Sequence, residues 1–193
     1  MKDGLDMSTV TDSEHRDLMS TFPTGVAVVT TLDRHARPMG FTCTSLASVT
    51  LRPPTLLICV CTASLTLTAI QEHGAFGVNV LRSGSRRVAE TFASAVPDRF
   101  AGVAWQLQPS TRTPWLADDA LAYADCAVDG TRDRIVGDHA VLIGTVRAVW
   151  LGAGRPLLYG TRQFGEWAHE VDEPITWHLQ NGFWQDARLT GRT

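Results

Sequence analysis

The strand-like runs of this chain follow one another without helices of comparable length between them, and that pattern excludes most α/β architectures. Gly25 to Leu32 is rich in Val and Thr, Thr55 to Cys61 and Ala75 to Leu81 are short apolar runs, and Leu121 to Val128 and His139 to Trp150 are further strand-like stretches. Such residues fit a pleated, half-buried surface. A doubly wound nucleotide-binding sheet needs regular strand-helix-strand units and a GxGxxG turn, and the sequence has neither. The pattern predicts a mainly β fold with a few short helices, arranged as a closed antiparallel barrel.

Turn residues divide the runs. Asp33-Arg34-His35 leads from the first into a second extended segment near Pro38, which reads as a hairpin. Pro53-Pro54 ends that second stretch, because proline removes ladder donors. Thr11-Asp-Ser-Glu14 reads as a capping box opening a short helix, with Leu18 and Phe22 on its buried face and Pro23 ending it. Ser64 predicts the cap of a helix running to His73 and closed by Gly74, and Ser85 to Ser94 predicts another that buries Val88 and Phe92. Pro97 to Asp119 is irregular and long enough to be a functional or dimer-facing excursion, and Gly144 predicts a bulge within the last long strand.

The chain of 193 residues suits one domain over 1–193, with frayed ends at 1–10 and 187–193 and no convincing internal boundary. A net charge of −3 gives no general attraction for nucleic acid. The N-terminus lacks the apolar core of a signal peptide, and the run Leu56 to Cys61 is too short to cross a bilayer, so no membrane role and a cytoplasmic location are expected. Four cysteines form no CxxC pair; Cys59 and Cys61 fall on one strand face, and buried thiols in a reducing compartment are expected. Six scattered histidines without HExxH spacing predict no metal site, and the absence of GxSxG sets a serine hydrolase aside. Trp167, Trp177 and Trp184 in the tail suit a pocket lid, a dimer surface or simple docking on their own domain.

Three features can carry chemistry. The hydroxyl-rich Thr42-Cys-Thr-Ser45, with Ser48, suits phosphate and heterocycle edges but equally a half-buried strand. Ser64-Leu-Thr66 at a helix start suits an anion or plain capping. Gly137-Asp-His139 places an imidazole at a strand entrance, where it can donate to a carboxamide or oxyanion, or serve only structure.

The ordered set Phe22-Pro-Thr-Gly25 before Val-Ala-Val-Val-Thr, Gly40-Phe-Thr-Cys-Thr-Ser45, Ser48 before Pro53-Pro54, Phe76-Gly-Val-Asn-Val-Leu81, Arg99-Phe100-Ala-Gly102 and Gly137-Asp-His139 is what carries a family likeness. Over about residues 15 to 164 the chain resembles the flavin reductase-like family, which includes reductase components of two-component monooxygenases. The resemblance implies a closed antiparallel split β-barrel of the FMN-binding type. It implies that Thr42, Cys43, Thr44, Ser45 and Ser48 meet the flavin ring and ribityl chain, and that Cys61, Ser64 and Thr66 meet its phosphate. Phe100 then stands beside the flavin, His139 is the catalytic-site residue that orients the nicotinamide, and Tyr159 and Arg162 are neighbours. The implied cofactor is FMN or FAD with NADH or NADPH as co-substrate, in a homodimer that serves a transient partner monooxygenase. Rival readings are a split-barrel oxidoreductase that keeps its flavin, and a non-enzymatic flavin-binding redox module. Cys43 departs from the small alanine or valine common in the family, and the tail at 165–193 carries no recognised motif.

Overall fold

A computed structural model describes residues 10–129 and 133–166, together with the backbone of 177–180 and 183–186. Helix α1 (Asp12–Ser20) and strand β1 (Thr24–Gly25) precede the hairpin β2 (Ala27–Leu32) and β3 (Pro38–Cys43). A second hairpin, β4 (Ala47–Leu51) and β5 (Pro54–Cys61), leads into α2 (Leu65–His73) and β6 (Ala75–Leu81). Helix α3 (Arg86–Ala93) opens the excursion, which holds β7 (Gln106–Leu107) and β8 (Pro114–Trp115). The chain returns through β9 (Ala120–Val128), β10 (Arg134–Val136) and β11 (His139–Leu151), then β12 (Leu157–Gly160) and β13 (Gln163–Glu166). Trp177–Gln180 (β14) and Phe183–Asp186 (β15) pair as an antiparallel hairpin. The expectations for residues 1–9, Trp167 and 187–193 lie outside the described residues.

The principal sheet is antiparallel throughout, in the order β3-β2-β6-β9-β11-β5-β4, with β10 paired to β11. Strand β2 is buried along its whole length. Ala27 and Val29 join an inner cluster with Cys43, Ile58, Phe76 and Leu142, while Val28 and the preceding Val26 join an outer one with Phe92, Phe100 and Leu116. A strand covered on both faces needs apolar residues on both, which explains why the sequence here is continuous rather than alternating. The inner cluster draws on strands from both ends of the sheet, so the sheet curls around it, with α2 covering one side through Leu67 and Ile70.

A buried polar cluster fixes the excursion to the outer face. Asp125, fully buried, accepts hydrogen bonds from the hydroxyls of Ser110 and Thr111 and, at 3.0 Å, of Thr113. Asn79, also fully buried, donates to the Val28 carbonyl at 3.1 Å and accepts from the Leu116 amide at 2.8 Å. Three hydroxyls of the 110–113 turn converge on the carboxylate, with the Tyr123 hydroxyl a longer fourth donor at 3.5 Å, so the irregular segment is held by satisfied polar groups that would be costly to leave unpaired.

Two expectations change. The capping box of α1 forms, but the helix buries no residue, and Leu18 and Phe22 remain 64% and 63% exposed. The bulge in β11 lies between Val146 and Ala148, not at Gly144. Gly144 meets a different demand: a Cβ there would stand 2.6 Å from Phe76 Cζ and 3.1 Å from Cys126 Cβ. Phe76 is fully buried and cannot withdraw. Gly144→Ala should therefore destabilise the fold by about 1–3 kcal/mol, measured as a lower midpoint in urea with an unchanged m-value.

Candidate functional site

The ladder between β4 and β5 ends at the pair Ala47 and Leu57, so residues 58–61 of β5 present a free edge. Strand β3, at the other end of the sheet path, has β2 on one side only. These two edges face one another across a seam. The Ser45 hydroxyl takes the place of a ladder partner there, accepting from the Cys59 amide at 3.0 Å and lying 3.4 Å from the Cys59 carbonyl. At the opposite end, the Arg99 guanidinium donates to the Gly40 carbonyl at 2.8 Å and to the Ser94 carbonyl at 2.9 Å.

Three hollows follow β3 along this seam. The first, about 300 Å³, is lined by Gly40, Ser64, Thr66, Arg99 and Phe100. The second, about 440 Å³, is lined by Thr42, Thr44, Glu90 and Tyr159. The third is a cleft of about 1170 Å³, lined by Thr44 to Ala47, His139, Tyr159 and Arg162 on the barrel side and by α1 on the other. Gly40 and Thr42 share one face of β3 and Thr44 follows the end of the strand, which places the hollows in sequence along the chain.

The sequence-derived candidates divide among these places. Ser64 caps α2 by accepting from the Thr66 amide at 3.2 Å, leaving the Leu65 amide at the first turn of the helix for an anion. Thr66 is only 2% exposed and lines the same hollow as Ser64. The Thr42 hydroxyl donates to the Ala89 carbonyl at 2.6 Å and braces α3. Cys43 is buried in the inner cluster, with its sulfur 3.3 Å from the Ser45 hydroxyl. Phe100 is buried with its ring edge-on to Phe92 and Trp105, at centroid distances of 4.9 and 5.8 Å. Ser48 is exposed on β4 and Cys61 exposed at the end of β5; neither lines a hollow described above, although Cys61 is the cross-strand neighbour of His139.

His139 opens β11 after a tight turn in which Gly137 adopts a φ of 59°, a left-handed conformation suited to glycine. Its Nδ1 lies 2.8 Å from the Asp138 carboxylate. That hydrogen bond holds the Asp138 carboxyl below the usual carboxylate range. With Nδ1 donating to Asp138, a neutral ring offers Nε2 as an acceptor.

Two contributors escaped sequence reasoning. Arg99 was visible only as the residue before Phe100, yet it supplies the cation at the Ser64 end of the seam, with Nη2 left for a ligand. Helix α1 contributes a wall to the cleft of about 1170 Å³, although its apolar spacing reads as core-facing. Among the described residues no group of His, Cys, Asp and Glu is placed to hold a metal ion, and no helix is long and apolar enough to cross a membrane.

The sequence model of the flavin reductase like domain matches residues 19–168. The chain belongs to the flavin reductase-like family. Within that family it is 52% identical to a flavin reductase (NADPH) of Lentzea aerocolonigenes over 161 residues, spanning 83% of this chain and 93% of that protein. It is 36% identical to the reductase subunit of a flavin-dependent monooxygenase of Mycobacterium tuberculosis, over 84% of this chain and 86% of that one. Its fold is similar, with a TM-score of 0.77 and 31% identity, to the NADH:FAD oxidoreductase of Streptomyces globisporus solved in complex with NAD and FAD fragments, covering 86% of this chain and all 100% of that one.

The expectation of uniformly buried thiols is also corrected for this family member, since Cys43 and Cys126 are buried, Cys59 is half-buried and Cys61 is exposed. Burial pushes the Cys43 thiol up, and burial together with the neighbouring Asp125 carboxylate pushes Cys126 up to about 12. Because the thiolate is the reactive form, labelling of the native protein at pH 8 should modify Cys61 first and spare Cys43 and Cys126 until denaturant is added. Peptide mapping after timed alkylation gives the order directly.

Proposed function

We propose that this protein is an NAD(P)H:flavin oxidoreductase that reduces FMN or FAD for use by a separate monooxygenase. The observation that carries the reading is the seam itself, a succession of hollows with Arg99 and the α2 N-terminus at one end and an oriented imidazole at the other. The donor set fits a flavin phosphate at the Arg99 end, where guanidinium and helix-start amides both favour an anion. Thr44 and Ser45 lie along the intermediate stretch and suit the ribityl chain and ring edge, with Cys43 contributing backbone only.

Bound together, the two cofactors supply hydride transfer from nicotinamide to flavin. The chain's own task is placement. Asp138 fixes the ring of His139, and Nε2 accepts from the nicotinamide carboxamide, so that the ring is held rather than protonated by the protein. Tyr159, packed edge-on against Phe164 with centroids 5.2 Å apart, forms the wall common to the second hollow and the cleft. Arg162 closes the cleft margin, and no acid or base is called for.

The unit responsible is a single domain, a reading supported by the family match over 19–168. Closure of the barrel across the seam is supported by the Ser45 to Cys59 hydrogen bond. A homodimer is supported by exposed apolar residues on β4 and the second half of β11, namely Val49, Leu51, Val149 and Leu151.

The test is oxidation of NADH and NADPH with and without added FMN or FAD. Turnover that rises with free flavin is expected; none with either flavin overturns the reading, and turnover indifferent to added flavin favours a protein that keeps its flavin bound. Arg99→Ala should weaken flavin binding by roughly ten- to a hundredfold, the worth of about 1.5–3 kcal/mol for a hydrogen bond to a charged group, followed by fluorescence titration. His139→Ala should leave flavin affinity and the melting temperature unchanged while slowing stopped-flow flavin reduction or raising KM for the nicotinamide, by up to about a hundredfold.

A further inference from the structure

Helix α1 carries the clearest unassigned chemistry in the molecule. An amphipathic helix ordinarily earns its place by burying its apolar stripe, and nine residues make a marginal helix without tertiary support. Here Leu18, Met19 and Phe22 stay 64%, 48% and 63% exposed. The attachments that hold the helix lie at its C-terminal end: the Thr161 amide donates to the Ser20 carbonyl at 2.6 Å, and Arg162 pairs with Asp17.

The inner side of that helix is nevertheless specific. His15, Arg16, Met19 and Phe22 all line the cleft that also holds Ser45 and His139. The ionisable residues lining the cleft are His15, Arg16, His139, Tyr159 and Arg162, and no carboxylate lines it. Carboxylates stand behind these groups rather than in the lining, Asp12 at Arg16, Asp17 at Arg162 and Asp138 at His139, so the wall presents guanidinium and imidazole ends to one open cleft. Asp12 engages Arg16 through its carbonyl and Nε at 3.0 Å and through a looser 3.8 Å carboxylate contact, which steadies the guanidinium and leaves Nη1 for another partner. A volume of about 1170 Å³ exceeds what one nicotinamide ring needs.

We propose that α1 is the wall that recognises the adenosine-phosphate half of the dinucleotide, and that Arg16 selects NADPH over NADH by pairing with the 2′-phosphate. The proposal rests on the reductase reading above for its choice of ligand. A dinucleotide anchored by its carboxamide at His139 extends its phosphates away from that residue, toward the helix across the cleft. Met19 and Phe22 offer apolar surface to the adenine, and a planar guanidinium matches phosphate oxygens better than an imidazole does.

The decisive experiment measures binding of adenosine 2′,5′-bisphosphate and of 5′-AMP to the full chain by calorimetry, in wild type, Arg16→Ala and Arg16→Lys, with no flavin present. Wild type should bind the bisphosphate at least about tenfold more tightly, as one charge-assisted hydrogen bond implies. Arg16→Ala should lose that preference, Arg16→Lys should keep part of it, and flavin titrations should be unchanged in both. In turnover, KM for NADPH should rise in Arg16→Ala while KM for NADH barely moves. Equal affinity of wild type for the two nucleotides, or a preference that survives Arg16→Ala, overturns the proposal. A preference that depends on Arg16 in a protein that oxidises neither nicotinamide supports the phosphate site and removes the reductase reading instead.

Discussion

Strands β3 and β5 face one another without sharing a ladder, and the placement of the site follows from that omission. Backbone amides and carbonyls on a free edge must find partners. Ser45 supplies one pair to Cys59, and Arg99 satisfies the Gly40 carbonyl. Both residues therefore serve the fold and border the hollows at once. A fully laddered barrel would leave no comparable groove, and an unbridged one would leave an edge open to pairing with another chain.

The opposite face is fixed by polar burial instead. Asp125 and Asn79 stand on adjacent strands of the sheet and gather the 110–116 segment through side-chain hydrogen bonds. Holding the excursion there presses Phe100 and Leu116 into the outer cluster with Phe92. Arg99 is thereby delivered to the seam from a segment that has almost no regular structure of its own. The cluster around Asp125 and the hollow at Ser64 are thus coupled through one short stretch of chain.

Much of this was legible in the amino-acid order. The run Gly25 to Leu32 reads as a strand because it is rich in Val and Thr, and the capping box at Thr11 marks the start of α1 correctly. What the order could not convey was the partner of each surface. Leu18 and Phe22 have the same spacing whether a helix covers a core or walls a cleft, so the buried face assigned to α1 was misplaced. Gly144 looks like a bulge because glycine in a strand serves both bulges and close approaches, and only the position of the Phe76 ring distinguishes them. Thr42 and Thr66 have side chains suited to a ligand, yet Thr42 braces α3 and Thr66 is buried, which depends on contacts distant in sequence.

The loose attachment of α1 also bears on how the cleft is reached. A wall with no buried side chain separates from the barrel by breaking the contacts at Ser20 and Asp17, without exposing any core. Openings of that kind sit at the low end of the local stability scale and occur far more often than global unfolding. The cleft can thus be uncovered at a fraction of the cost of unfolding the sheet, so entry and exit there need not disturb the strands that shape the seam.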